Sequence, residues 1–388
     1  MFVVWRRLKV HNARRFSSAS ASVVHSLSYL SHQSRVHFQA SDSSRTNVEI
    51  VPVLSADEFA LRVLETDKSI DIQNLFDIEK ESASHSIDVT RVCITKKYNF
   101  DANVQLLVPH TVALNLAVAN GGVILKNKLE GDVKVVLGCG DIQLDKVRGD
   151  TVNLTTNGGK IDVLTLVEGK TVRFNATESV TCKRLMANNA EIILGKGEIS
   201  NSVFGAIYAS TCNFVSRNQS GQSKLRIGNV HGYLRVSSQG LESIDIDSVT
   251  GALDIEDSGN SCNVMAHFDS WTNQMASNIL VGGDVHVSLH PSASINVELH
   301  GVQVTTGKDT EFVNSEMDTL DENYAIFTGE LCAQKTAKDM SSGSTGKINV
   351  DSAKDDAMRT SFFMNKITDL DETEVKASRL FVHSLSGD

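Results

Sequence analysis

Between Pro109 and Asn263 the chain repeats itself, and a repeat constrains a fold more tightly than any composition does. Gly131-Asp-Val-Lys-Val-Val-Leu-Gly-Cys-Gly-Asp-Ile-Gln-Leu leads into Val147-Arg-Gly149. The next copy runs from Asp150-Thr-Val-Asn-Leu through Gly158-Gly-Lys-Ile-Asp-Val to Val167-Glu-Gly169. Further copies follow at Lys170-Thr-Val-Arg-Phe, Asn189-Ala-Glu-Ile-Ile-Leu, Tyr233-Leu-Arg-Val and Leu241-Glu-Ser-Ile-Asp-Ile, the last closing at Val249-Thr-Gly251. A unit of about 18–20 residues, made of two short alternating strands and glycine turns, predicts an all-β, single-stranded parallel β-solenoid.

Period-two alternation assigns the faces. Val133, Val135 and Leu137 point to one side, and Ile142 and Leu144 do so after the turn. Val152 with Leu154, Ile161 with Val163, and Val172 with Phe174 repeat the pattern, so stacked turns build aliphatic ladders while Asp162 faces solvent. Gly138, Gly140 and Gly158-Gly159 fall between strands, where tight corners exclude a Cβ. The register slips between Gly205 and Gly232, and Arg217-Asn-Gln-Ser-Gly-Gln-Ser223 reads as a polar loop inserted at a corner.

The flanks complete the expected layout. Residues 1–45 read as a disordered targeting leader, 46–305 as the solenoid with its clearest repeats at 105–265, 306–325 as an acidic loop, and 326–388 as C-terminal strands and a cap. Further strands are expected at Phe59–Val63, Ile87–Val89, Val104–Val108, Val285–Leu289, Ile295–Leu299, Tyr324–Phe327 and Lys347–Val350. Asp309–Asn323 is the mobile part of the acidic loop, and Ala357–Met364 is the expected cap over an otherwise open strand edge.

Charge separates the leader from the body. Arg6, Arg7, Lys9, Arg14, Arg15 and Arg35 precede the first acid, Asp42; without them, 31 basic residues face 47 acids, a balance of about −16. So acidic a body lacks the basic footprint that nucleic-acid backbones require. No apolar run reaches the roughly 18–20 residues of a membrane-spanning helix. The Arg-, Ser- and Ala-rich leader has the composition of a mitochondrial transit peptide, with cleavage expected after Phe16 and a matrix destination. Cys93, Cys139, Cys182, Cys212, Cys262 and Cys332 are scattered without CxxC spacing and read as small buried hydrophobes in a reducing compartment.

The repeated G-x-V-x-L, G-x-I-x-[LV] and V-x-G elements resemble the adhesin-like β-solenoid domain of unknown function found in bacterial cell-envelope proteins. With its leader and its Ser361-Phe-Phe-Met ending, the whole chain resembles the animal mitochondrial proteins called family with sequence similarity 185, member A. The resemblance implies a solenoid fold and carries over no catalytic residue. The word adhesin there implies neither adhesion nor export.

The outward positions carry the groups that could do chemistry. Asp141, Asp162, Asp245, Asp247 and Asp254 sit beside inward aliphatics, and Asp245-Ile-Asp247 and Asp254-Ile-Glu256 have the spacing of acid/base pairs or of Ca²⁺ ligands. Alternation alone also places acids outward in an acidic protein, and the aromatics that would stack on sugars are few, at 6%. His286 and His290 share a strand face with Ser288, with His300 one strand over, but zinc needs three or four converging ligands. Cys139 lies at a corner without a readable base beside it. The sequence therefore assigns no catalytic, cofactor-binding or metal-binding residue. It favours a non-enzymatic scaffold with a protein partner over the alternative, a carbohydrate-active hydrolase or lyase using the outward acids.

Overall fold

A computed structural model describes residues 22–28, 34–54, 58–66, 74–82, 90–195, 199–259, 261–271, 276–291, 293–307, 310–321, 324–332 and 378–384. Expectations for residues 1–21, Ile87–Val89, Lys347–Val350 and Ala357–Met364 lie outside them. Among the described residues there is no α-helix, and none long and apolar enough to cross a membrane.

The repeat winds as predicted. Strands β8 (Ala113–Asn120), β9 (Val123–Glu130), β10 (Val133–Cys139), β11 (Ile142–Arg148) and β12 (Thr151–Thr156) lie successively in two columns. Beyond them the corner joining column two back to column one is itself extended. Long strands therefore run through both columns: β13 (Ile161–Ala176), β14 (Val180–Leu194), β15 (Asn201–Ser216), β16 (Ser223–Ser238) and β17 (Leu241–Asp257). Then β18 (Asn263–Ser270) and β20 (Val285–Leu289) continue column two, and β19 (Ala276–Val281) continues column one. All these pairings are parallel.

Register shows why the core is continuous. Val133 pairs with Val152, Val152 with Val172, Val172 with Ala190 and Ala190 with Cys212. A turn takes about 21 residues, longer than the expected 18–20, because corners such as Arg217–Gln222 add length without disturbing the ladders. Val152, Leu154, Ile161 and Val163 are all buried and Asp162 points outward, as the alternation requires. Each such aliphatic removed from water contributes roughly 1.5–3 kcal/mol. At Gly140, φ is +125° and a Cβ would lie 2.0 Å from the Gly121 carbonyl oxygen of the preceding turn, so only glycine lets the corners stack.

The corners leave backbone N–H groups pointing along the stack, and short polar side chains of neighbouring turns accept them. Asn47 accepts from Gly122 at 2.9 Å, Asp132 from Thr151 at 2.8 Å, Asp141 from Lys160 at 3.0 Å and Asn263 from Asp284 at 2.9 Å. Ser202, Ser223 and Ser277 do the same for Val180, Ser200 and Leu253. Such bracketing matters because an unmet buried donor costs about 1–3 kcal/mol.

Both ends depart from sequential winding. In the N-terminal part, β2 (Arg35–Ala40) pairs in parallel with both β8 and β6 (Thr90–Lys96), while β3 (Thr46–Val53) pairs with β9 and β7 (Ala102–Pro109). The first coil of the chain is thus the inner neighbour of two later ones. Antiparallel strands close this end: β1 (Ser22–Ser28) on β4 (Glu58–Thr66), β4 on β7, and β5 (Phe76–Ser82) on β6. The expected boundary at residue 45 therefore moves, since β1 and β2 fall inside the supposed leader and Val36 and Phe38 are core residues. The buried Lys96 ammonium joins the first coil by donating to Asp42 (3.1 Å), Ser44 (2.6 Å) and Thr46 (2.8 Å).

At the C-terminal end, β24 (Arg379–Ser384) enters between β19 and β21 (Ile295–Gly301), parallel to both. An antiparallel pair, β22 (Phe312–Asp321) and β23 (Tyr324–Leu331), follows on β21. The acidic segment expected as a loop is therefore mostly strand. Glu311, Glu316 and Asp318 are exposed, which an edge hairpin tolerates, and Phe312 anchors the segment against the Phe327 ring at 4.9 Å.

Candidate functional site

The outward acids do not converge. Asp245 and Asp247 lie on the column-two half of β17, Asp254 and Glu256 on its column-one half, and the inward neighbours of both halves meet in the shared core. Each pair therefore looks out from a different column. Asp247 pairs with Arg226 at 3.4 Å, Arg235 approaches Asp254 at 3.6 Å and Glu256 at 4.0 Å, and Ser243 donates to Asp245. Tyr233 donates its phenol to Asp254 at 3.0 Å; burial, then this bond, pushes the Tyr233 pKa up. Arg173 and Glu191 continue the same cross-turn pairing at 2.9 Å.

Three other candidates do share a place. Cys139, Asp141 and Asp162 line a groove of about 1220 Å³ together with Lys160, Arg45 and Glu49. Several of its polar groups already have partners. Asp141 holds the Lys160 N–H, Asp162 faces the Lys160 ammonium at 3.5 Å, Glu49 pairs with Lys126 at 2.7 Å and accepts from Gln105. The Lys126 hydrogen bond lowers the Glu49 pKa, burial opposing it. Cys139 is exposed, correcting the expectation of a buried thiol, and its Sγ lies 3.7 Å from the Gly158 carbonyl oxygen.

The histidines separate. His286 lies on β20 in column two and His290 just beyond it, both exposed, whereas His300 lies on β21 in column one. His300 belongs instead to a cluster that periodicity could not assemble. Its Nε2 lies 2.8 Å from Glu298 Oε1 and its Nδ1 2.8 Å from the Tyr324 hydroxyl, which is 3.4 Å from His383 Nε2. Glu298 also receives Arg379. Burial works against ionisation of Glu298, but the hydrogen bonds and charges of His300 and Arg379 outweigh it and hold its pKa below the usual range.

An ionised Glu298 can only accept, so the His300 Nε2 that meets it carries a proton. The Tyr324 hydroxyl lies between the two imidazoles, in reach of both. These contacts join β24, β23 and β21. Alternation along β21 and β24 does put Glu298 with His300, and Arg379 with His383, on common faces. Nothing local in the sequence pairs two strands some eighty residues apart.

The sequence matches no known protein family and no curated protein. Among solved structures, a "putative cell adhesion protein" from Clostridium sporogenes overlaps at TM-score 0.25 and 9% identity, covering 61% of this chain and 100% of that one. A "putative adhesin" from Parabacteroides distasonis overlaps at TM-score 0.29 and 12% identity, covering 70% of this chain and 94% of that one. Overlaps this slight carry nothing about what this chain does.

Proposed function

We propose that this protein is a non-catalytic interaction scaffold of the mitochondrion, acting in the matrix after loss of its leader and binding a protein partner on its outer faces. The observation that carries the reading is the engagement of the outward charges in cross-turn pairs and corner brackets. Acids held by arginines, lysines and backbone N–H groups are poor general bases, and those of β17 lie on different columns. The same pairs stiffen an extended surface, on which a partner docks without the cost of ordering it. The acid-free leader supports the location.

The test has two arms. Imported protein should lose its first residues near Phe16-Ser17, and cross-linking in intact mitochondria should map a protein partner onto outward positions of the two columns. Asp245→Asn, Asp247→Asn and Asp254→Asn together should leave that cross-link pattern in place. Turnover of an oligosaccharide that these three changes abolish would overturn the scaffold in favour of a hydrolase or lyase. An uncleaved leader in purified organelles would overturn the location.

A further inference from the structure

Strand β22 lies at the end of column one and stands almost wholly in water. From Phe312 to Leu320 every residue but Phe312 is exposed, and among the described residues the strand pairs with β23 alone. The groups it leaves uncovered are of two kinds. Val313 is 47% exposed, Met317 53% and Leu320 61%, apolar side chains that a mid-sheet strand would cover. Glu311, Glu316 and Asp318 are exposed as well, and residues 310–332 hold six acids and no lysine, arginine or histidine. Elsewhere on the solenoid an outward acid is held by a cation of a neighbouring turn, as Asp247 is by Arg226 and Glu191 by Arg173. Glu316 and Asp318 have no ion pair among the described residues.

Register sorts the two kinds onto opposite faces. Met317 pairs with Phe327, a buried residue, whereas Glu316 pairs with Thr328 and Asp318 with Ile326 on the outward face. A ten-residue edge with unpaired N–H and C=O groups and exposed apolar side chains is a template for a further strand. A second copy of the hairpin fits it badly. It brings only acids to meet Glu316 and Asp318, and like charges on neighbouring strands destabilise a sheet. A strand whose alternate residues are cations meets those acids with opposite charge, and the aliphatic residues between them cover Met317.

We propose that the free edge of β22 docks an extended segment of a partner protein, one that alternates lysine or arginine with aliphatic residues and adds to column one as its next strand. Main-chain hydrogen bonds along the edge supply the affinity, and the two faces of the added strand supply the choice. The charge that turns away a second copy is the charge that selects a cationic partner. This site is the end of a column, whereas the scaffold reading concerns the outer faces, so neither rests on the other.

Two end-blocked peptides test it on the full chain. The probe is a decapeptide alternating lysine and valine; its control, five valines followed by five lysines, keeps composition and charge but loses the alternation. By fluorescence anisotropy the alternating peptide should bind at least about tenfold more tightly than the control. Hydrogen exchange should slow at the amides of β22 when the probe is bound and stay unchanged at those of β21, which is already paired on both sides. Glu316→Gln with Asp318→Asn should weaken the alternating peptide at least about fivefold. An unchanged melting curve for that double variant separates lost charge from misfolding. Equal affinity for the two peptides, unaltered exchange at β22, or binding that the double variant leaves intact would overturn the proposal.

Discussion

Asp257 accepts the backbone N–H of Leu241 at 3.2 Å, closing the corner of the turn below its own. The same Oδ2 takes Gly240 N–H at 3.1 Å and the Ser238 hydroxyl, while Oδ1 takes Gly259 N–H at 2.7 Å. At 5% exposure the carboxylate is shielded from water that could replace it.

Asp257→Ala should therefore destabilise the array by about 2–5 kcal/mol, because several buried donors lose their acceptor at once. Asp257→Asn keeps an acceptor oxygen and should lose less. Urea unfolding of the two variants checks the order; equal losses would mean that the side chain only fills space.

The register of the ladders predicts opposite outcomes at adjacent residues. Ile161→Asp places an unpaired charge where exposure is 0% and should cost several kcal/mol, enough to unfold part of the array. Asp162→Ala removes one partly exposed partner of Lys160 and should stay within roughly 0.5 kcal/mol. Melting curves separate the two.

Acid should loosen the C-terminal end. Burial, with the charge of His300 added, depresses the His383 pKa. A depressed histidine contributes stability that is complete above its unfolded pKa of about 6.5 and is lost as pH falls from there through the folded value. Glu298, also depressed, adds a loss of the same sign at lower pH, as its carboxylate protonates. Hydrogen exchange of the β24 amides, corrected for intrinsic rates, should show protection falling as pH drops below about 6.5 in the wild type and much less in His383→Phe.

Thiol alkylation should sort the cysteines by burial. Burial pushes Cys182, Cys212 and Cys262 up to about 12, so almost no thiolate forms at pH 8. Exposed Cys139 and Cys332 should be modified in the native protein, and the three buried thiols only after unfolding; mass spectrometry of iodoacetamide-treated protein reads the difference.

Whatever depended on neighbours along the chain was legible in the amino-acid order. Alternation at Val152, Leu154, Ile161 and Val163 assigned the inward face, and glycines such as Gly140 marked corners, because side-chain direction and turn conformation are local properties. The tertiary structure decided which strands stack. It seated Val36 between Val92 and Leu114, and turned the acidic segment at Phe312–Asp321 into a hairpin strand. It also brought Glu298 and His300 to Arg379, Tyr324 and His383. A strand's own pattern states which side is apolar but not which open edge will receive it. That choice rests on ladder hydrogen bonds and core contacts that exist only once the distant neighbour is in place.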